Sequence, residues 1–198
     1  MGDVTGHGVE AALLMTTARA FLRMRASQCG DISEIVTEMN RHLTLDFLDT
    51  GRFMTLFYIS IDPDHKTLQW VRAGQDPAVI YDPLQDRFEE LKGEGLALGV
   101  DENFSYLQNL KTGLRPGQII AIGTDGIWET FNQNGDMFGK ALFREIIRKN
   151  SHLGAEQIVA AVYHELDKFA NGAKKKDDIT LVIIKLQETP TKSEDWQI

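Results

Sequence analysis

Apolar residues recur at three- and four-residue spacing in two stretches near the start of the chain. Val9, Ala12, Leu13 and Thr16 set the first, and the spacing predicts a helix over residues 9–25 with Gly8 or His7 at its start. Ile32, Ile35, Val36, Met39 and Leu43 set the second, predicting a helix over residues 31–48. Asp31 is suited to cap it, with Glu34 at capping-box spacing. The period then drops towards two. "FMTLFYISID" (53–62), "TLQWVRAG" (67–74), "AVIYD" (78–82), "RFEEL" (87–91), "FSYLQNLKT" (104–112) and "QIIAIGTDG" (118–126) read as strands, rich in β-branched and aromatic residues. "RFEEL" pairs back on "AVIYD" as a hairpin. The run from residue 118 is apolar without alternation, as expected of a strand buried on both faces or lying mid-sheet. Helical spacing returns over 139–149 and 154–169, and "ITLVIIKL" (179–186) closes the pattern as a strand.

Two helices, about six strands, two helices and one strand, joined mostly by short turns such as "DPDHK" and "RPGQ", imply antiparallel pairing and an α+β layer fold. No repeat or interdomain linker interrupts this order. One domain over residues 1–187 is expected, followed by a loosely ordered tail, 188–198, that contains Trp196. No apolar run reaches the roughly 20 residues needed to cross a bilayer, and Met1 leads straight into a polar glycine loop, so no leader peptide is expected. A formal net charge of −8 disfavours nucleic acid as a partner, since phosphate contacts require a cationic face. Cys29, the one cysteine, allows no intramolecular disulfide. It reads as a structural residue, and a single free thiol suits a reducing, cytoplasmic setting.

Chemistry enters through acidic residues at the ends of these elements. Asp3 lies in "GDVTGHG", Asp125 in "GTDG" directly after a buried strand, and Asp177 and Asp178 in "DDITLVII" directly before one. A carboxylate at a strand end can face a mouth shared with other strand ends while its own strand stays apolar. Oxygen donors of this kind suit Mg²⁺ and Mn²⁺, and no Cys/His set has zinc spacing. Clustered acids repel one another, which a bound cation relieves. Singly, each has a plainer reading: an Asp-Gly turn, a solvated strand edge, or a helix cap or anion-binding helix start, with His7 as an ordinary helix-start residue.

In combination, "GDVTGHGVEAALLM", "GRFMTLFYISID", "AGQDPAVIYD", "GTDGIWETFNQNGDMFG" and "DDITLVIIK" closely resemble, in order and spacing, the SpoIIE/RsbU-type serine/threonine phosphatases. These belong to the metal-dependent, protein phosphatase 2C-like superfamily. The match runs from Gly2 to about Leu186. The resemblance implies two stacked antiparallel sheets flanked by helices, with two Mn²⁺ or Mg²⁺ ions at one end. It implies Asp3 as the bridging ligand with the Val4 carbonyl beside it, and Asp125 and Asp177 as ligands of the other ion. Asp178 is implied as a neighbour that orients the site; His7 receives no role. The implied reaction is hydrolysis of phosphoserine or phosphothreonine by a hydroxide shared between the ions, in line with the leaving oxygen and without a protein nucleophile. Implied partners are a phosphoprotein substrate, such as an anti-sigma-factor antagonist, and an upstream sensor or receiver domain. The helices over residues 9–48 resemble a regulatory element, or else simply cover the core.

The pattern also departs from the family. Family domains carry a further metal-binding aspartate on a strand upstream of "GDV", and here only Met1 and Gly2 precede Asp3. The expectation is a sandwich lacking its first strand or strands, truncated at its N-terminus. It could still hold one ion, or none, with a second bound weakly or not at all, and would show weak or no activity. Its open sheet edge would invite pairing with a second copy, a homodimer. Gln75 and Asp76 stand where relatives often have histidine and asparagine, and are expected to shape the strand-to-turn transition. Two other readings stay open: a non-catalytic phosphatase-like binding module, and a covalent aspartyl-phosphate phosphatase. The latter needs aspartates at i and i+2, of which Thr124–Asp125–Gly126 supplies one.

Overall fold

A computed structural model describes residues 1–28, 30–47, 51–62, 66–173 and 177–188. Cys29, the centre of the "DPDHK" turn, the lysines of the "AKKK" run and the tail beyond Glu188, Trp196 included, lie outside the described residues. In chain order the elements are β1 (Gly2–Val4), α1 (Val9–Ala26), α2 (Ile32–Phe47), β2 (Met54–Ile61), β3 (Thr67–Ala73), β4 (Ala78–Asp82), β5 (Arg87–Leu91), β6 (Asn109–Thr112), β7 (Ile119–Gly123), α3 (Asp125–Trp128), α4 (Gly139–Lys149), α5 (Ala155–Ala170) and β8 (Leu181–Lys185).

The strands form two four-stranded sheets, β1-β2-β3-β6 and β5-β4-β7-β8, antiparallel throughout. Strand alternation sorts each side chain into one of three apolar layers. Phe57, Leu68, Trp70, Ile80, Ile120 and Ile122 meet between the sheets. Their neighbours Leu56, Val71 and Ala73 face the other way, under α1 and α2. On the second sheet Val79, Tyr81, Ile119 and Ala121 face α4 and α5. β7 is therefore apolar at every position because both of its faces are covered, as its sequence predicts. The result is helix pair, sheet, sheet, helix pair, the α+β sandwich expected.

Most elements fall where the pattern puts them. Asp31 caps α2, accepting from the backbone amides of Ser33 (2.9 Å) and Glu34 (3.2 Å). Four differences have physical causes. First, "GDV" is a strand, not merely a loop: three residues are too few to show a period, and β1 exists because it pairs with β2. Second, α1 buries a different stripe. Ala11, Leu14, Met15, Ala18, Phe21 and Leu22 pack inward, whereas Val9 and Leu13 are 77% and 63% exposed. The run "AALLM" permits either face, and the one that continues into Phe21 and Leu22 wins. Third, only 109–112 of the expected strand 104–112 is regular. Phe104 and Tyr106 pack on the α2 layer as irregular chain, with the Tyr106 amide on Thr37 Oγ1 (3.1 Å). Fourth, "TDG" opens the four-residue helix α3 rather than a simple turn.

The ends of the sandwich differ in kind. At one, buried Asp82 accepts from Gln118 Nε2 (3.0 Å) and pairs with Arg115, tying the exit of β4 to the entry of β7. The opposite end, where β7 exits and β8 enters, carries the acidic residues.

Candidate metal centre

β1 positions the first acid. Val4 turns into the core beneath α1 and α2, so strand alternation sends Asp3 outward. Asp3 stands directly opposite Thr55 of β2, which puts both side chains on one face. The loop that follows is sewn to the entry of β2. The Thr5 amide donates to the Phe53 carbonyl (2.9 Å), the Phe53 amide to Thr5 Oγ1 (3.0 Å), and Arg52 Nη1 to the Thr5 carbonyl (2.7 Å). Gly6 has φ +89, a conformation that favours glycine, and a Cβ there would meet the end of the Arg52 side chain.

The other acids are held back to back. The Thr124 amide donates to the Thr180 carbonyl (3.1 Å) and its hydroxyl to the Asp178 carbonyl (3.1 Å), while the Thr180 amide donates to Thr124 Oγ1 (3.0 Å). A Cβ on Gly126 would lie 2.3 Å from the Asp178 carbonyl oxygen, so only glycine lets the start of α3 press against the β8 entry. Tyr163, from α5, donates to the Ile179 carbonyl (3.0 Å). The threonine and glycine that flank Asp125 thus fix its position relative to Asp177 and Asp178.

Asp3, Val4, His7, Asp125, Tyr163, Asp177 and Asp178 line one open cleft of about 1000 Å³, with Thr55, Gln75 and Asp76 also on its wall. Every residue singled out as a ligand is therefore at one mouth, though residue 3 and residue 177 stand at opposite ends of the domain's sequence. The pKa of Asp3 is raised, chiefly by burial and then by the charges of Asp177, Asp125 and Asp178, against a hydrogen bond from the Val4 amide. The carboxylates feel one another across the cleft.

The donor chemistry fits a hard divalent cation: carboxylate oxygens, a backbone carbonyl at Val4, and a repulsion that a cation would cancel. As placed, however, no three Asp, Glu, His or Cys side chains among the described residues converge closely enough to hold one ion. Like charges settle apart, and Asp177 Oδ1 turns to the Asp178 amide (2.8 Å). All four aspartates are exposed, so changes of rotamer are open to them. Among the described residues the lining includes no serine or cysteine. The hydroxyls of Thr5 and Thr55 donate to the Phe53 carbonyl (3.1 Å) and to Gln75 Oε1 (2.6 Å). Asp76 pairs with Lys140 of α4 (3.0 Å), whose ammonium lies over the Trp128 ring. Sequence reasoning missed Thr55, Thr124, Gly126 and Tyr163. Thr124 and Gly126 carry a signal, since they flank Asp125, whereas Tyr163 sits in a helix whose spacing says only which face is buried.

Residues 1–187 match the family model described as Stage II sporulation protein E (SpoIIE). The chain belongs to the SpoIIE family. It is similar to "Phosphoserine phosphatase RsbU" of Bacillus subtilis (strain 168), at 26% identity over 185 residues, which is 93% of this chain and 54% of RsbU. This SpoIIE-family chain therefore spans about half the length of that relative. Among solved structures, the SiaA-PP2C domain of Pseudomonas aeruginosa superposes with a TM-score of 0.82 at 23% identity, covering 94% of this chain and 74% of that one. RsbX in complex with magnesium superposes with a TM-score of 0.66 at 18% identity, covering 94% and 79%. These likenesses establish the protein phosphatase 2C-like sandwich. Among the described residues no helix is long and apolar enough to cross a membrane.

Proposed function

We propose that the domain is a metal-dependent phosphoserine/phosphothreonine protein phosphatase in a cytoplasmic signalling protein. Its catalytic set is Asp3, Asp125 and Asp177, with the Val4 carbonyl. The observation that carries this reading is the convergence of carboxylates from three remote segments on one cleft, where burial first and then the neighbouring charges raise the pKa of Asp3. A phosphate dianion would be repelled by such a cleft, so a cation is needed to bring the two together. When bound there, Mn²⁺ or Mg²⁺ would supply Lewis acidity that activates water and neutralises phosphoryl charge. The chain's own part is placement. Asp3, Asp125 and Asp177 would hold the cation, Thr124, Gly126 and Tyr163 fix the backbones that present two of those acids, and Asp178 flanks them. Among the described residues no side chain on the wall is set up as a nucleophile, which favours direct attack by water over a covalent enzyme intermediate.

The breadth of the cleft suits a phosphorylated residue on another protein. The name of the relative RsbU supports phosphoserine as the target, and the family resemblance is the ground for proposing a regulatory phosphoprotein such as an anti-sigma-factor antagonist as substrate and an upstream sensor or receiver domain as its control. Three aspartates and one carbonyl are enough for one ion. The second ion implied by the family resemblance draws on a further aspartate, so a polypeptide of these 198 residues alone should turn over slowly. The test is release of phosphate from a phosphoserine protein at millimolar Mn²⁺, beside RsbU. Slow turnover abolished by EDTA is expected. Turnover indifferent to EDTA would refute the metal reading, and a rate equal to that of RsbU would refute the one-ion reading. Among the described residues no trio of ligands closes on one point, which leaves one alternative, a phosphatase-like module that binds phosphoprotein without hydrolysing it. Binding with no phosphate release at any Mn²⁺ concentration would decide for it.

A further inference from the structure

We propose that Gln75 is a positioning residue that sets the distance between the two halves of the metal centre. This rests on reading the cleft as a metal site. The halves belong to different sheets: Asp3 to the β1-β2 side, Asp125 and Asp177 to the β7-β8 side. Gln75 follows β3 at the junction between them. It is 5% exposed, a buried polar residue at the floor of an otherwise open cleft. Its Oε1 accepts from Thr55 Oγ1 (2.6 Å), and Thr55 is the residue directly opposite Asp3. Its Nε2 donates to the Gly123 carbonyl (3.4 Å), two residues before Asp125. One planar amide therefore touches both limbs, by its acceptor on one side and its donor on the other.

The amide is itself held in place. Arg72 Nε donates to the Gln75 carbonyl, and Arg72 Nη1 to the Gly93 carbonyl (2.9 Å). The Gly74 amide donates to the Gly95 carbonyl (3.1 Å), and Gly74 has φ +72 with Ala97 only 3.0 Å from where a Cβ would stand. A glutamine pinned by its backbone can act as a spacer, which a freely rotating one could not. An apolar residue of the same size would fill the space and lose both bonds. Histidine carries one donor and one acceptor and can keep both, so the position needs paired hydrogen bonding more than glutamine as such.

The test compares Q75L, Q75H and T55V in the 198-residue chain by two readouts. Without metal, amide hydrogen exchange is followed at Thr124, beside the clasped limb, and at Ile120, in the centre of the same strand. Q75L should speed exchange at Thr124 about tenfold and leave Ile120 unchanged, and Q75H should restore it. By calorimetric titration with Mn²⁺, Q75L should weaken binding about 10- to 100-fold, the usual loss when a group supporting metal ligands is removed. Q75H should again lie near the parent. Faster exchange at Ile120 to the same degree would indicate a merely structural role and overturn the proposal, as would unchanged exchange and affinity. Should Q75L not fold, T55V removes a single hydroxyl from the same link and carries the same two comparisons. Parent protein that takes up no Mn²⁺ would refute the metal reading, and the exchange data would then judge Gln75 by themselves.

Discussion

Two aspartates at opposite ends of the sandwich couple to pH with opposite sign. Burial and the charges of Asp177, Asp125 and Asp178 raise the pKa of Asp3, so the folded chain holds that proton more tightly than the unfolded chain. Its ionised form costs stability above the usual carboxylate range, and the cost is relieved as pH falls through the raised value. D3N should therefore raise the Tm of the metal-free protein at pH 7, by no more than about 3 °C once solvent screening is allowed for. The same variant should lose stabilisation by Mn²⁺. Asp82 behaves in the reverse sense. Burial pushes its pKa up, but hydrogen bonds from Gln118, Arg115 and the Leu84 amide outweigh that and leave it lowered. Its contribution is present above the ordinary aspartate range and is lost as pH falls through the depressed value. D82N should cost about 1–3 kcal/mol at pH 7, since the partners of a buried acceptor are left behind, and should flatten the acid limb of the stability curve in urea titrations.

Elements were legible in the sequence where period and composition agreed. β4, β5 and α4 fall on the expected residues, and β7 is recognisable because a short, unbroken apolar run between the turn residues "RPG" and "TDG" suits a strand covered on both faces. Legibility failed where tertiary contacts decide. β1 is too short for a pattern, and residues 104–108 alternate as a strand does yet find no strand to pair with. For α1 the sequence offers two apolar stripes, and packing chooses between them. The choice can be checked by a pair of substitutions one residue apart. L14A should destabilise the fold by about 1–3 kcal/mol, because Leu14 packs on the α1-α2 layer. L13A should stay within about 0.5 kcal/mol. The α3 start offers a sharper test of how elements carry the site. G126A sets a methyl against the Asp178 carbonyl, and should lower both Tm and affinity for Mn²⁺, since relieving the clash moves the segment bearing Asp177.

At the scale of the molecule, the sandwich turns sequence distance into proximity. Its layers are ordinary hydrophobic packing, and their effect is to bring β1, the β7 exit and the β8 entry to one mouth. The acids stood out through the family resemblance of their motifs taken together, since a single carboxylate at a strand end serves a turn, a cap or a solvated edge equally well. Of the supports, Thr124 carries a signal in its place beside Asp125, whereas Tyr163 and the Gln75 link do not, because they act through hydrogen bonds that no residue pattern records. Whether remote acids act as one cation site is decided by titrating Mn²⁺ into the parent chain and into D3N, D125N and D177N, each confirmed folded. Saturable binding by the parent, lost or weakened at least tenfold in each of the three, is the expected result. Parent-like binding in D125N or D177N would contradict a shared centre.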